Sequence, residues 1–222
     1  MLLLLPCVAA CSITNDDAAQ VSACERGFLD GAQQAAGTPP PLNDVDRAKL
    51  HRACDALVSH GLDDSSDESD LLAFLREHPD VATDMCDVGT SGMYEVMLAN
   101  GGPPMKGYLK REDVLRMGSR GCTYGILEGY GSLEEGFDYG RLVKAHPDLA
   151  VPVCAALVMQ GYDEGGTGLP SRRRFEKTAD RVCLDAIRRG VVDYGAGNLY
   201  NPRIDAPRFR EMLVAALAAE KA

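Results

Sequence analysis

Cysteine is the residue type in this chain with the most chemistry to offer, and its spacing is regular. Six of the eight cysteines, Cys24, Cys54, Cys86, Cys122, Cys154 and Cys183, lie beyond the N-terminal segment. Thiols in such numbers could hold zinc, act as nucleophiles or close disulfides. A zinc knuckle needs closely spaced pairs. The one pair near enough is Cys7 and Cys11, and no second pair answers it. Disulfides are the remaining chemistry, provided the chain is exported.

The other reactive residues form no constellation. Four histidines occur, His51, His60, His78 and His146. His78 and His146 each precede a proline, so each should end a helix, where a cation suits the helix dipole. No serine-hydrolase elbow, metalloprotease helix, phosphate loop or haem-attachment pattern is present. Gly165-Gly166-Thr167-Gly168 lacks the lysine of a phosphate loop and reads as a turn. The run Asp63-Asp64-Ser65-Ser66-Asp67-Glu68-Ser69-Asp70 lacks the glycine and terminal glutamate of a calcium loop and reads as a solvated acidic loop. Arg172–Arg174 is a basic patch in an acidic chain, either a partner contact or a solvated turn. The expectation is therefore no catalytic residue, no metal ligand and no cofactor.

The elements that would carry these cysteines are helices. Cys154, Leu157, Val158, Gly161 and Tyr162 fall on one helical stripe. The same frame occurs after Cys24 (Gly27, Phe28, Gly31), Cys54 (Leu57, Val58, Gly61), Cys86 (Gly89, Thr90, Met93), Cys122 (Gly125, Ile126, Gly129) and Cys183 (Ala186, Ile187, Gly190). One helical element used six times is the implied plan. Glycines inside the frame mark either close helix approach or helix C-caps. Second helices are expected between them. Asp70–Leu75 with Asp70 as N-cap is one, Asp138–Val143 its copy, and Asp205–Phe209 opens the last. Val45–Cys54, Lys110–Met117 and Arg174–Val182 supply the others. Pro39–Pro41, Gly101–Pro104 and Gly165–Ser171 are the expected long turns.

A second order overlies the first. Cys54 to Cys122, Cys86 to Cys154, Tyr94 to Tyr162 and His78-Pro79-Asp80 to His146-Pro147-Asp148 are all shifts of 68 positions. A shared offset is the mark of internal duplication. With no run of alternating apolar residues, the fold expected is all-α: tandem helical-hairpin repeats, as a solenoid or a bundle, stapled by disulfides.

Residues 1–11 end in Val8-Ala9-Ala10-Cys11 after a short leucine run, which looks like a signal peptide with a lipobox, Cys11 being the lipidated residue. Residues 12–23 would be a tether and 24–222 a single helical-repeat domain. The compartment is then extracytoplasmic: periplasm, outer-membrane lipoprotein or secreted. Net charge is −10 and the pI about 4.9. That disfavours nucleic acid and leaves membrane contact to the N-terminal lipid anchor. A protein partner is expected. The pairing Cys24–Cys54, Cys86–Cys122 and Cys154–Cys183 would close one helix pair each. The alternative joins Cys54–Cys86 and Cys122–Cys154 across equal gaps, leaving Cys24 and Cys183 at the two ends of the array. Spacing alone does not choose.

Cys154, Tyr162, Gly165 and Cys183 carry a resemblance to cysteine-rich secreted Sel1-like repeats, and Val45–Cys54 looks like the second helix of such a unit. That resemblance implies a superhelical α/α scaffold that binds proteins. Leu75-Arg76-Glu77-His78-Pro79-Asp80, with Cys122–Tyr162, resembles periplasmic immunity proteins of the Rap1a/Tai type. That one implies inhibition of a secreted cell-wall hydrolase. A secreted helical enzyme is the third reading.

Overall fold

The computed structural model describes residues 17–62, 66–99, 107–129, 131–132, 136–164, 171–195 and 202–219. Over these residues the chain is all-α, with nine α-helices and two antiparallel pairings of two-residue strands. The helices are α1 (Asp17–Ala36), α2 (Asp44–Ser59), α3 (Glu68–Glu77), α4 (Pro79–Ala99), α5 (Arg111–Glu128), α6 (Tyr139–Ala145), α7 (Val151–Glu164), α8 (Arg172–Arg188) and α9 (Ala206–Ala219). The strands are β1 (Gly131–Ser132) with β2 (Gly136–Phe137), and β3 (Val192–Asp193) with β4 (Arg203–Ile204).

Three cysteine helices are longer than the sequence implied. Val45–Cys54, Lys110–Met117 and Arg174–Val182 are not separate helices. They are the leading halves of α2, α5 and α8, which run unbroken through Cys54, Cys122 and Cys183. Each of these helices ends at the glycine seven positions beyond its cysteine. Gly61, Gly129 and Gly190 have φ of 74°, 68° and 66°, the left-handed backbone of a helix C-cap. The other three cysteine helices, α1, α4 and α7, continue past that position, through Gly31, Met93 and Gly161. So the element repeated six times in sequence is two alternating elements in space; the C-cap use of glycine occurs in one of them, and at Gly161 in the other the space beside the glycine is open. In chain order each alternating pair is succeeded by a third helix, α3, α6 or α9.

Local signals explain the starts. Asn43 Oδ1 accepts the Asp46 N–H at 2.9 Å ahead of α2. Asp67, not Asp70, caps α3, accepting the Asp70 N–H at 2.9 Å and the Ser69 hydroxyl at 2.6 Å. These two bonds hold the Asp67 carboxyl below its ordinary range, the Ser69 hydroxyl contributing most. Asp138 caps α6 through the Arg141 N–H at 2.9 Å. Residues 17–23, expected within a polar tether, form the start of α1, where Val21 and Ala23 are buried. The signal segment and Cys11 lie outside the described residues.

The helices pack as two compact units, where the repeat pattern implied one domain from residue 24. Of the first unit, α2 lies between α1 and α4. Between α2 and α4 a polar ladder runs antiparallel. Ser91 donates to Asp46 Oδ2 at 2.9 Å, Lys49 pairs with Asp87, and Arg52 grips Asp84 at 2.8 and 3.1 Å. Beneath it Leu50, Ala53, Leu57, Phe74, Leu75 and Val88 belong to one apolar core. Arg76 of α3 donates to the Ile126 carbonyl in the last turn of α5 at 3.1 Å. In the second unit α8 packs on α7 and on α9. Leu142, Val153, Ala179, Val182, Val191 and Tyr194 are buried there. The Tyr194 hydroxyl donates to the Ala150 carbonyl at 3.1 Å, and burial pushes that phenol well above the ordinary tyrosine range.

Two glycines of the second unit should respond oppositely to alanine. A Cβ on Gly140 would sit 2.5 Å from the Gly195 backbone, whereas one on Gly161 meets nothing. Gly161→Ala should gain about 0.5–1 kcal/mol from helix propensity. Gly140→Ala should lose about 1–3 kcal/mol to overlap that backbone must absorb. Urea midpoints of the two variants check this; equal shifts would contradict it.

Tyr194 gives a pH dependence. Its folded pKa is raised, so the stability it contributes is intact below the unfolded value near 10 and is lost as pH rises beyond it. Phenolate absorbance should therefore show one tyrosine of the wild type that titrates only on alkaline unfolding, and this late component should vanish in Tyr194→Phe.

Candidate functional site

The six periodic cysteines are joined in consecutive pairs: Cys24–Cys54, Cys86–Cys122 and Cys154–Cys183, with Cα–Cα distances of 5.7, 5.6 and 5.8 Å. Each bond ties a helix that continues past its cysteine to the next helix that stops at glycine. The equal-gap pairing does not form. Five of the six cysteines are buried and Cys24 is partly so, packed against the first unit's core. Beside the Cys86–Cys122 bond, Thr90 and Gly118, each one helical turn away on its own helix, approach so closely that a Cβ on Gly118 would be 2.4 Å from Thr90 Cγ2. Closure of such loops requires an oxidising environment.

Three of the four histidines end helices, and the fourth joins two. His51 Nδ1 lies 2.7 Å from Glu25 Oε1, linking α2 to α1 beside their disulfide. His60 donates from Nδ1 to the Ala56 carbonyl at 2.9 Å. Its ring stacks with Phe74 and His78, and the three rings have centroids 4.3 to 4.8 Å apart. His78 and His146 end α3 and α6 in nearly the same conformation, φ/ψ of −122°/71° and −124°/67°. Their backbone N–H groups bond the Phe74 and Leu142 carbonyls at 2.9 and 2.8 Å. The adjoining proline starts the next helical segment in both. Among the described residues no group of three or more His, Cys, Asp or Glu could hold a metal ion. Of the acidic run, residues 63–65 lie outside the described residues and Asp67 is spent as a cap. Residues 165–168, the glycine-rich stretch, also lie outside them.

The basic patch borders a cleft where positive charge converges. Arg172–Arg174 form the first turn of α8, with no acidic residue in that turn. The helix is anchored by its opposite face. Phe175 is buried and stacks on Tyr162 at 4.5 Å between centroids, and Thr178 and Ala179 are fully buried. Arg172 turns back to Asp163, donating to both carboxylate oxygens at 2.6 and 2.7 Å. That hydrogen bond holds the guanidinium proton more tightly still. Burial, then the same carboxylate, pushes the Tyr108 phenol up. Ser171, Arg173, Arg174 and Lys177 line the adjoining cleft. Ser171 is the N-cap residue, yet its side chain makes no capping bond. The sequence located this patch but not the cleft, because the Arg172–Asp163 pair that separates one arginine from the rest depends on how α7 and α8 pair.

No protein-family model, no curated protein and no solved structure matches the chain. Among the described residues no helix is long and apolar enough to cross a membrane. What is established, over the described residues, is an all-α fold with three disulfides.

The Cys154–Cys183 bond closes a separation of 29 residues. Replacing both cysteines by alanine should cost about 3–4 kcal/mol by the chain-entropy argument. Denaturant unfolding checks it, and an unchanged midpoint would show that helix packing alone holds α7 to α8.

Proposed function

We propose that this chain is an exported, non-enzymatic binding protein, lipid-anchored through Cys11, that presents a rigid helical surface to another protein. The observation that carries the reading is the set of three disulfides between successive helices. Such bonds persist outside the reducing cytoplasm and add stability where a protein must function without chaperone support. The N-terminal leucine run and lipobox-like residues agree with export. A rigid scaffold is what a binding surface needs, since pre-ordered groups lose less entropy on association. Three of the four imidazoles favour this over catalysis: those of His60 and His78 pack with Phe74, and His51 Nδ1 meets Glu25 Oε1. The α7–α8 hairpin closed by Cys154–Cys183 is the arrangement that a cysteine-rich Sel1-like repeat implies.

A second reading is favoured by one observation, the matching His-Pro junctions after α3 and α6. They are the feature on which the likeness to Rap1a/Tai-type immunity proteins rests. On that reading the partner is a secreted cell-wall hydrolase, held inactive.

The test is made on the full chain exported by a bacterial host. Alkylation before reduction should label none of the six periodic cysteines, and labelled-lipid incorporation should be lost in Cys11→Ala. Crosslinking in intact envelopes should then yield one stoichiometric protein partner. If that partner is a hydrolase whose activity falls in proportion to added protein, the second reading replaces the general one. Free thiols in the exported material would sink both.

A further inference from the structure

We propose that the Cys24–Cys54 bond is a redox latch. A thiol reductant opens it while the other two disulfides stay closed, and α1 is then released from the first unit. The three crosslinks are not equally protected. Cys54, Cys86, Cys122, Cys154 and Cys183 are each at most 2% exposed, so two of the bonds are buried at both ends. Cys24 is partly exposed. The flank of its bond also faces water. Glu25 adjoins Cys24 and His51 stands one turn from Cys54; these side chains meet across α1 and α2 with 31% and 65% of their area in solvent. Thiol–disulfide exchange depends on access to the sulfur attacked. Among the six bonded cysteines, Cys24 is thus the point of attack that the folded chain offers.

The chemistry is ordinary exchange with a thiol, either a small molecule or a protein dithiol. A reductant thiolate attacks Cys24 Sγ and forms a mixed disulfide with it. The electron pair of the Sγ–Sγ bond leaves on Cys54 Sγ, which takes up a proton. A second reductant thiolate then attacks the reductant's own sulfur in the mixed disulfide, and Cys24 leaves as a thiolate and is protonated. Two reductant thiols have become one disulfide, and the protein bond has gained two electrons and two protons.

What the bond holds is a lightly buried helix. Of residues 17–34 in α1, only Val21, Ala23, Phe28 and Gly31 are buried, whereas α4, of similar length, buries nine residues. Phe28 is the one large side chain among the four. It seats on α4, where a Cβ at Gly89 would lie 3.8 Å from its ring. A helix with so small a buried face opens at less cost than the whole unit unfolds. An isolated helix of this length is itself marginal in water. While Cys24 is bonded, α1 cannot leave without α2. Once the bond is reduced, α1 opens alone and uncovers the sides of α2 and α4 against which it lay. The latch is independent of the partner reading above, since it is read on the purified chain.

The test uses the full exported protein without denaturant. Dithiothreitol and, separately, reduced glutathione are added over a range of concentrations. Free thiols are trapped with N-ethylmaleimide and located by peptide mass spectrometry. Label should appear first on Cys24 and Cys54, at a rate proportional to thiol concentration and at least about tenfold faster than at the other four. In that two-thiol species amide exchange in α1 should quicken at least about tenfold, while α7 and α8 keep the protection of the oxidised chain. Cys24→Ser/Cys54→Ser should show the same fast exchange in α1 with no reductant; if that variant does not fold, the wild-type time course still decides. Simultaneous labelling of all six cysteines, first labelling at another pair, no labelling, or a rate independent of thiol concentration overturns selective access. Label confined to Cys24 and Cys54 with α1 exchange unchanged overturns the release of α1.

Discussion

Buried sulfur sets the geometry of this chain. A disulfide fixes two Cα atoms within 6 Å, and two helices held so closely at one point must find small or complementary side chains on either side of it. Those residues stand within one turn of the bond. Thr90 faces Gly118 beside Cys86–Cys122, and His51 meets Glu25 beside Cys24–Cys54. Once α2 is pinned to α1, its other side is free to run against α4. The polar ladder from Asp46–Ser91 to Arg52–Asp84 then fixes the register of that second contact. Exposed ion pairs contribute little energy singly. The buried Asp46–Ser91 bond matters more, because breaking it strands a carboxylate in the core.

Helix content, the cysteine frame and the duplication were legible because each is periodic and each period has a physical cause. What the periodicity could not reveal is that one spacing serves two ends. A glycine seven positions after a cysteine stops α2, α5 and α8 but lies within α1 and α7. The glycine is the same residue in either setting. The outcome depends on the next few residues of the chain. Polar or turn-forming residues come soon after Gly61 and Gly129, the β-branched pair Val191-Val192 that leads into β3 comes after Gly190, and further helix-compatible residues come after Gly31 and Gly161. The leading halves of α2, α5 and α8 misled for the same reason, since their apolar stripes read equally well as separate helices. Asp67 and Asp70 both look like caps, and the Ser69 hydroxyl, which bonds Asp67, marks the one that is used.

The candidate cleft was only half legible. Three consecutive arginines announce a patch, but a patch becomes a cleft only when its members are told apart by tertiary structure. Asp163, at the end of α7, removes Arg172 from the group. Phe175, Thr178 and Ala179 bury one face of α8, which leaves Arg173 and Lys177 exposed. Both facts stem from helix pairing that the Cys154–Cys183 bond enforces, so the surface chemistry of the second unit rests on its buried crosslink.

The order of the crosslinks has its own consequence. First joins second, third joins fourth, fifth joins sixth, so no bond encloses or crosses another. A polypeptide threaded amino end first through a translocation pore presents these thiols in the sequence in which they couple. Each staple can be set before the next pair of thiols emerges, and an oxidase that simply joins neighbours as they appear makes the native connectivity with nothing left to reshuffle.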